Sequence, residues 1–250
     1  MTSIGLWRLE VMRLIRTRRW IALATVFVGF GLAGPLAVRY MDKLLAQADP
    51  RIVIKVPPPT PADGMASFLG NATQLGVLTL VLVAAAALCV EAKPGLSIFY
   101  RTRVRHRSGL VLPRYTVIAA SGVLTYLAGW GAAWYETAVL IGAPDVGRTL
   151  LAAVPLLLYL VFVVAVVSAV ASLVRGVLAT VGVSLAVLLG LPALALIGSV
   201  GAWLPSALTD ASRALLNGGH DWTAAATGTI ALTAGSLALA CNRAGRREVS

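Results

Sequence analysis

Charge is scarce in this sequence, and negative charge scarcest of all. Of its 250 residues only 12% are charged, with 10 Asp and Glu against 21 Lys and Arg. A soluble domain carries about a quarter of its residues as charge, so the deficit excludes an exterior solvated wholly by water. Histidine and cysteine are nearly absent too, at two each. Cys89 and Cys241 lack a CxxC partner and fall near the ends of apolar segments. They read as small packing residues, and no disulfide framework is implied. His106 stands in a basic stretch and His220 beside Asp221, which suits loop histidines better than metal ligands. There is no Gly-x-x-x-x-Gly-Lys-Ser/Thr phosphate loop, no His-Glu-x-x-His and no Gly-x-Ser-x-Gly. The sequence thus nominates no catalytic residue, no metal ligand and no cofactor bound by this chain.

What fills the chain instead is apolar: 58% hydrophobic residues and a mean hydropathy of +0.85. A helix needs about 20 apolar residues to cross a bilayer, and six stretches meet that length. They run from about residues 20 to 40, 68 to 90, 115 to 135, 150 to 174, 177 to 200 and 222 to 241. The expected fold is an all-α membrane protein, a single transmembrane domain over 1–250. Residues 1–19 form an amphipathic helix ahead of the first span. At about 100° per residue, Ile4, Trp7, Val11, Leu14 and Ile15 fall in one stripe with Arg13 and Arg16 opposite. Such a helix lies along the headgroups with Trp7 at the interface. Leu6 and Leu9 fall off that stripe.

The stretch Pro57-Pro58-Pro59-Thr60-Pro61 is expected to be extended and stiff, within a polar loop ending near Met65. A basic segment follows the second span, a short turn through Pro144-Asp145 follows the third, and Arg175-Gly176 leaves room only for a tight turn. Gly201 to Asp221 is less apolar and suits an interfacial or partly re-entrant segment, with Trp203 and Trp222 as anchors. Placing both termini inside puts fifteen Lys and Arg on the inner side and six on the outer. That bias predicts cytoplasmic termini, since basic residues stay in cytoplasmic loops. It also accounts for the net charge of +11 without a nucleic-acid partner; the partner it implies is the lipid bilayer. A cleaved signal peptide is not expected, because the basic segment before the first span is too long for one.

Three features stand out. Glu91 sits where the second span meets the cytoplasm, ahead of Gly95 and a run of arginines; pairing with those arginines is its plainest role. Asn71 and Gln74, three apart on one helical face, either hydrogen-bond to a neighbouring span or line a path through the membrane. Gly182 with Ala186, Gly190 with Gly198, and Gly228 with Gly235 permit close helix packing.

This layout resembles the permease subunit of ABC-2-type ATP-binding-cassette transporters. In that family an amphipathic elbow helix precedes six spans, with a basic cytoplasmic segment between spans two and three. A tight turn joins spans four and five, and a semi-helical outer hairpin precedes span six. Locally, Glu91-Ala92-Lys93-Pro94-Gly95-Leu96 is similar to the opening of the family's motif at the end of span two. The following Ile98 to Arg107 departs from it, with arginine near where proline is usual. The resemblance implies a subunit of an exporter in the plasma (inner) membrane. ATP and magnesium would be bound by a separate ATPase subunit, and a second permease, identical or homologous, would complete the path. It further implies that Glu91, Gly95, Arg101, Arg103, Arg105 and Arg107 couple to the ATPase. Trp7, Arg13 and Arg16 would belong to the elbow, and Asn71 and Gln74 to the translocation path along spans one, two and five. The competing expectations are a non-catalytic six-span scaffold and, further off, a membrane enzyme such as an intramembrane protease or lipid-modifying transferase.

Overall fold

The computed structural model describes residues 3–41, 43, 58–89, 108–195, 198–219 and 221–246. All regular structure among them is helical. Helix α1 is Ser3–Arg16 and α2 is Arg19–Arg39. Helices α3 (Pro61–Asn71) and α4 (Val77–Leu88) are joined by a π-helical turn, Ala72–Gly76, into one rod. Then come α5 (Ser108–Leu140), α6 (Val146–Leu173), α7 (Val177–Leu194), α8 (Ser206–Leu216) and α9 (Thr223–Arg246). A 3-10 turn at Gly198–Trp203 separates α7 from α8. Six helical segments are long and apolar enough to cross a membrane: α2, the α3–α4 rod, α5, α6, α7 and α9, hereafter spans 1 to 6. The chain is a multi-pass membrane protein.

Boundaries differ from those expected wherever local chemistry overrides hydropathy. Span 2 begins at Pro61, not near residue 68, because the Asp63 carboxylate accepts from both the Thr60 amide (2.8 Å) and the Thr60 hydroxyl (2.7 Å). A proline in the first helical turn sacrifices no hydrogen bond, so this is a strong start signal. Thr60 itself is extended, as the proline run requires. Span 3 begins at Ser108 and takes Arg114 out of the basic loop and onto a helix. Span 5 stops at Leu194, two residues past Pro192. The tight turn between spans 4 and 5 is there: Val174 is extended and Gly176 adopts φ +104°, a conformation that favours glycine. Between spans 5 and 6 the less apolar segment folds into the amphipathic α8, which buries Leu208, Ala211, Leu215 and Leu216.

Span 4 is the hub. It packs against spans 2, 3, 5 and 6 and against α8, and 67% of its most apolar stretch is buried, against 17% for span 6. The faces left open are apolar, with Leu178 at 85% and Leu189 at 76% exposure on span 5. Lipid solvates such a face at no cost, whereas water would not. Spans 1 and 3 make the closest crossing. A Cβ added at Gly31 would run into the Gly129 carbonyl oxygen, and one at Gly129 would lie 2.5 Å from that of Phe27. Beside the crossing, the Tyr126 ring lies edge-on to Phe27 (centroids 5.8 Å) and stacked on Phe68 (5.6 Å).

The Tyr126 hydroxyl is fully buried and finds no hydrogen-bond partner among the described residues. An unmet buried hydroxyl costs about 1–3 kcal/mol. Replacing Tyr126 with Phe keeps both ring contacts and removes that cost. The variant should melt at higher temperature in detergent, by about 1 kcal/mol of stability. A destabilised Tyr126→Phe would mean that the hydroxyl is bonded, for instance to water.

Candidate functional site

Two places bring polar groups to positions where an apolar helix would be simpler. The first is the middle of span 2. Asn71 closes α3 and Gln74 lies inside the π turn. The two differ in burial: Asn71 is half-buried and Gln74 is exposed. Single π turns leave a gap in the backbone ladder and recur at working sites. Here the Thr73 hydroxyl donates to the Leu69 carbonyl at 2.7 Å, and Gly76 gives the turn room against Phe27, whose ring carbon would lie 2.5 Å from an added Cβ. Leu75 within the turn, and Leu78 and Leu82 beyond it, continue the exposed strip that Gln74 begins. Span 2 packs against span 1 on one side and span 5 on the other, and spans 1 and 5 make at most marginal contact with each other. Its exposed strip is leucine apart from Gln74.

The second place is where α1 meets the body. Trp7, Val11 and Ile15 face away from the protein, while Leu6, Leu9, Glu10, Arg13 and Leu14 are at least half-buried. The helix thus has a sector against the body as well as one for lipid. Leu6 and Leu9 belong to the first of these. Arg13 does too, whereas Arg16, also opposite the apolar stripe, is exposed. The Glu10 carboxylate accepts from Arg114 Nε at 3.0 Å, and Arg13 approaches it at 3.8 Å. Glu10 and Arg114 side chains are only 12% and 14% exposed, which makes this an ion pair shielded from water and not a surface contact. The Arg18 backbone between α1 and α2 is left-handed (φ +53°), unusual for a residue other than glycine. It turns the chain sharply enough for α1 to lie across the ends of spans 2 and 3, where Ala87 and Arg114 are.

Sequence reasoning missed this cluster. The available signal was that Glu10 is the lone acidic residue before Asp42, against six arginines. Glu91, Gly95, Arg101, Arg103, Arg105 and Arg107 lie outside the described residues, as do His106 and His220. Of the glycine pairs, Gly228 is pressed against the Trp203 backbone, whereas Gly182, Gly190 and Gly235 have nothing within 4 Å of an added Cβ. Among the described residues no three His, Cys, Asp or Glu side chains gather as a metal site would need. The sequence matches no protein-family model and no curated protein.

Proposed function

We propose that this chain is the permease subunit of an ATP-driven exporter of the ABC-2 type. It lies in the inner membrane with both termini in the cytoplasm, paired with a second permease and powered by a separate ATPase. One observation carries the reading: helices of different kinds close the two ends of the bundle. Helix α1 is clamped by Glu10 and Arg114 over one end. The amphipathic α8 packs on span 4 and touches the first half of span 2 at the other. A scaffold needs neither device. A pump needs a lever on the side where ATP is hydrolysed and a lid on the side of release.

In this mechanism closure of the ATPase pushes the segment from Glu91 to Arg107. Movement passes to α1 through Arg114, because the chain runs on from that segment into α5 and Arg114 grips Glu10. The clamp is a salt bridge between two helices, so it transmits displacement in both directions without a covalent link. Cargo moves along faces of spans 1, 2 and 5. The exposed strip of span 2 is leucine with Gln74 as its polar exception and Asn71 half-buried nearby, which favours an amphipathic cargo over an ion.

The test is co-purification in detergent with the ATP-binding subunit encoded beside this chain. ATPase activity should come down with the complex and should be lost when Gly95 and the arginines from Arg101 to Arg107 are substituted together. A chain that purifies alone with no ATPase would overturn the reading in favour of a scaffold.

A further inference from the structure

The crevice between α1 and the ends of spans 2 and 3 holds three guanidinium groups and one carboxylate. Glu10, Arg13, Arg19 and Arg114 line it together with Leu14, Thr17, Ala87, Val117 and Ile118. Glu10 is engaged by Arg114 at 3.0 Å and by Arg13 at 3.8 Å. Arg19 is partly buried beside Arg13, which repels it, and among the described residues no carboxylate lies within 4.0 Å of it. Among the described residues lining it three cations stand against one anion, with Arg114 also engaged elsewhere, and an excess of positive charge in a space with apolar walls attracts an anion strongly where water is partly excluded.

The geometry points to the phosphate headgroup of an anionic membrane lipid as that anion. The lipid-facing stripe Trp7, Val11 and Ile15 fixes the depth of α1 at the headgroup level. That depth sets Arg13 and Arg19 among lipid phosphates, and the apolar wall of Val117 and Ile118 lies beside the acyl chain. The crevice admits no more than a water-sized body, about 10 Å³. The phosphate therefore sits at its mouth and directs one oxygen inward, toward Arg19, with Arg13 beside it. The lipid would supply a charge that the protein lacks and would brace α1 against the spans. This inference depends on the membrane placement of α1 and is independent of the transport reading.

Native mass spectrometry of the delipidated full-length protein in neutral detergent tests it. Phosphatidylglycerol should bind with at least about ten times the affinity of phosphatidylcholine, whose choline is repelled by the surplus charge. Each arginine near a headgroup is worth about fivefold in affinity, so Arg19→Gln should lose about that factor, and Arg19→Lys should recover part of it. Arg16→Gln, on the exposed side of the same helix, should bind as the parent does. Inorganic phosphate at millimolar concentration should not displace the lipid, because it lacks the chain that packs on the apolar wall. Equal losses in Arg16→Gln and Arg19→Gln would mean diffuse attraction and overturn the site. Displacement by inorganic phosphate would assign the crevice to a free anion instead, and equal affinity for the two lipids would remove it altogether. Gel filtration of each variant separates a lost site from a lost fold. If Arg19→Gln fails to fold, Arg13→Gln carries the same expectation.

Discussion

Gly129→Val will disrupt the fold, whereas Gly131→Val, two residues along the same helix, will leave it intact. A Cβ at Gly129 would stand 2.5 Å from the Phe27 carbonyl oxygen and 2.7 Å from its carbon, both backbone atoms of span 1. No rotamer change relieves a clash with backbone, so the two helices would have to move apart. Small residues are what allow helices in lipid to approach closely, and no hydrophobic force redraws them once separated. Overpacking of this kind costs about 3 kcal/mol or more. Gly31→Val should do similar damage, since its Cβ points at the Gly129 carbonyl from the opposite side. An added Cβ at Gly131 meets nothing within 4 Å, and a valine there would face lipid, with an effect within about 0.5 kcal/mol. Thermal unfolding in detergent, with gel filtration to detect loss of the monodisperse peak, reads the difference. Equal damage from both variants would place the fault in helix propensity and not in the crossing of spans 1 and 3.

Nothing in the sequence separates Gly129 from the other glycines among the 24 present. Hydropathy identifies a span because length and apolarity act locally, but a crossing point is a property of two helices. The same limit explains the Glu10 clamp, whose partners are 104 residues apart. Existence and order of the six spans were legible, and so was the turn at Arg175-Gly176, where the shortness of the connection leaves one solution. The start of span 2 was legible in principle, since Thr60, Pro61 and Asp63 form a helix-start pattern. It was hidden by reading the prolines as loop alone. The amphipathic pattern of α1 showed which residues avoid lipid. It did not show which of the rest meet the protein and which meet water: Arg13 and Arg16 share the side opposite the stripe, yet Arg13 is half-buried and Arg16 exposed. Asn71 and Gln74 were visible as polar residues in a span, yet the π turn leaves no mark in composition. Of the site proposed for coupling, the described residues reach only as far as Cys89 on one side and Ser108 on the other.

Glu10→Gln should be the most damaging single change on α1, at about 2 kcal/mol. Breaking a buried ion pair by removing one partner costs about 3–5 kcal/mol. The Glu10 side chain is 12% exposed and its crevice opens to the interface, so solvent softens that figure. The loss is greater than one hydrogen bond because Arg13 and Arg19 then face Arg114 without the Glu10 carboxylate between them. Arg114 has interactions beyond Glu10, so the single variants are unequal and only a cycle with Glu10→Gln, Arg114→Gln and the double variant isolates the pair. The double variant should cost less than the sum of the singles, by about 1 kcal/mol or more, in thermal unfolding of protein stripped of lipid. Strict additivity would mean that the 3.0 Å contact contributes nothing and that α1 is held by Leu6, Leu9 and Leu14 alone. Anionic lipid should then act in opposite senses on two variants. Glu10→Gln makes the crevice one charge more positive and should gain stability from phosphatidylglycerol beyond what the parent gains. Arg19→Gln makes it one charge less positive and should gain less. A lipid that rescued both variants equally would be acting on the bundle as a whole, and the clamp and the lipid site would then be unconnected.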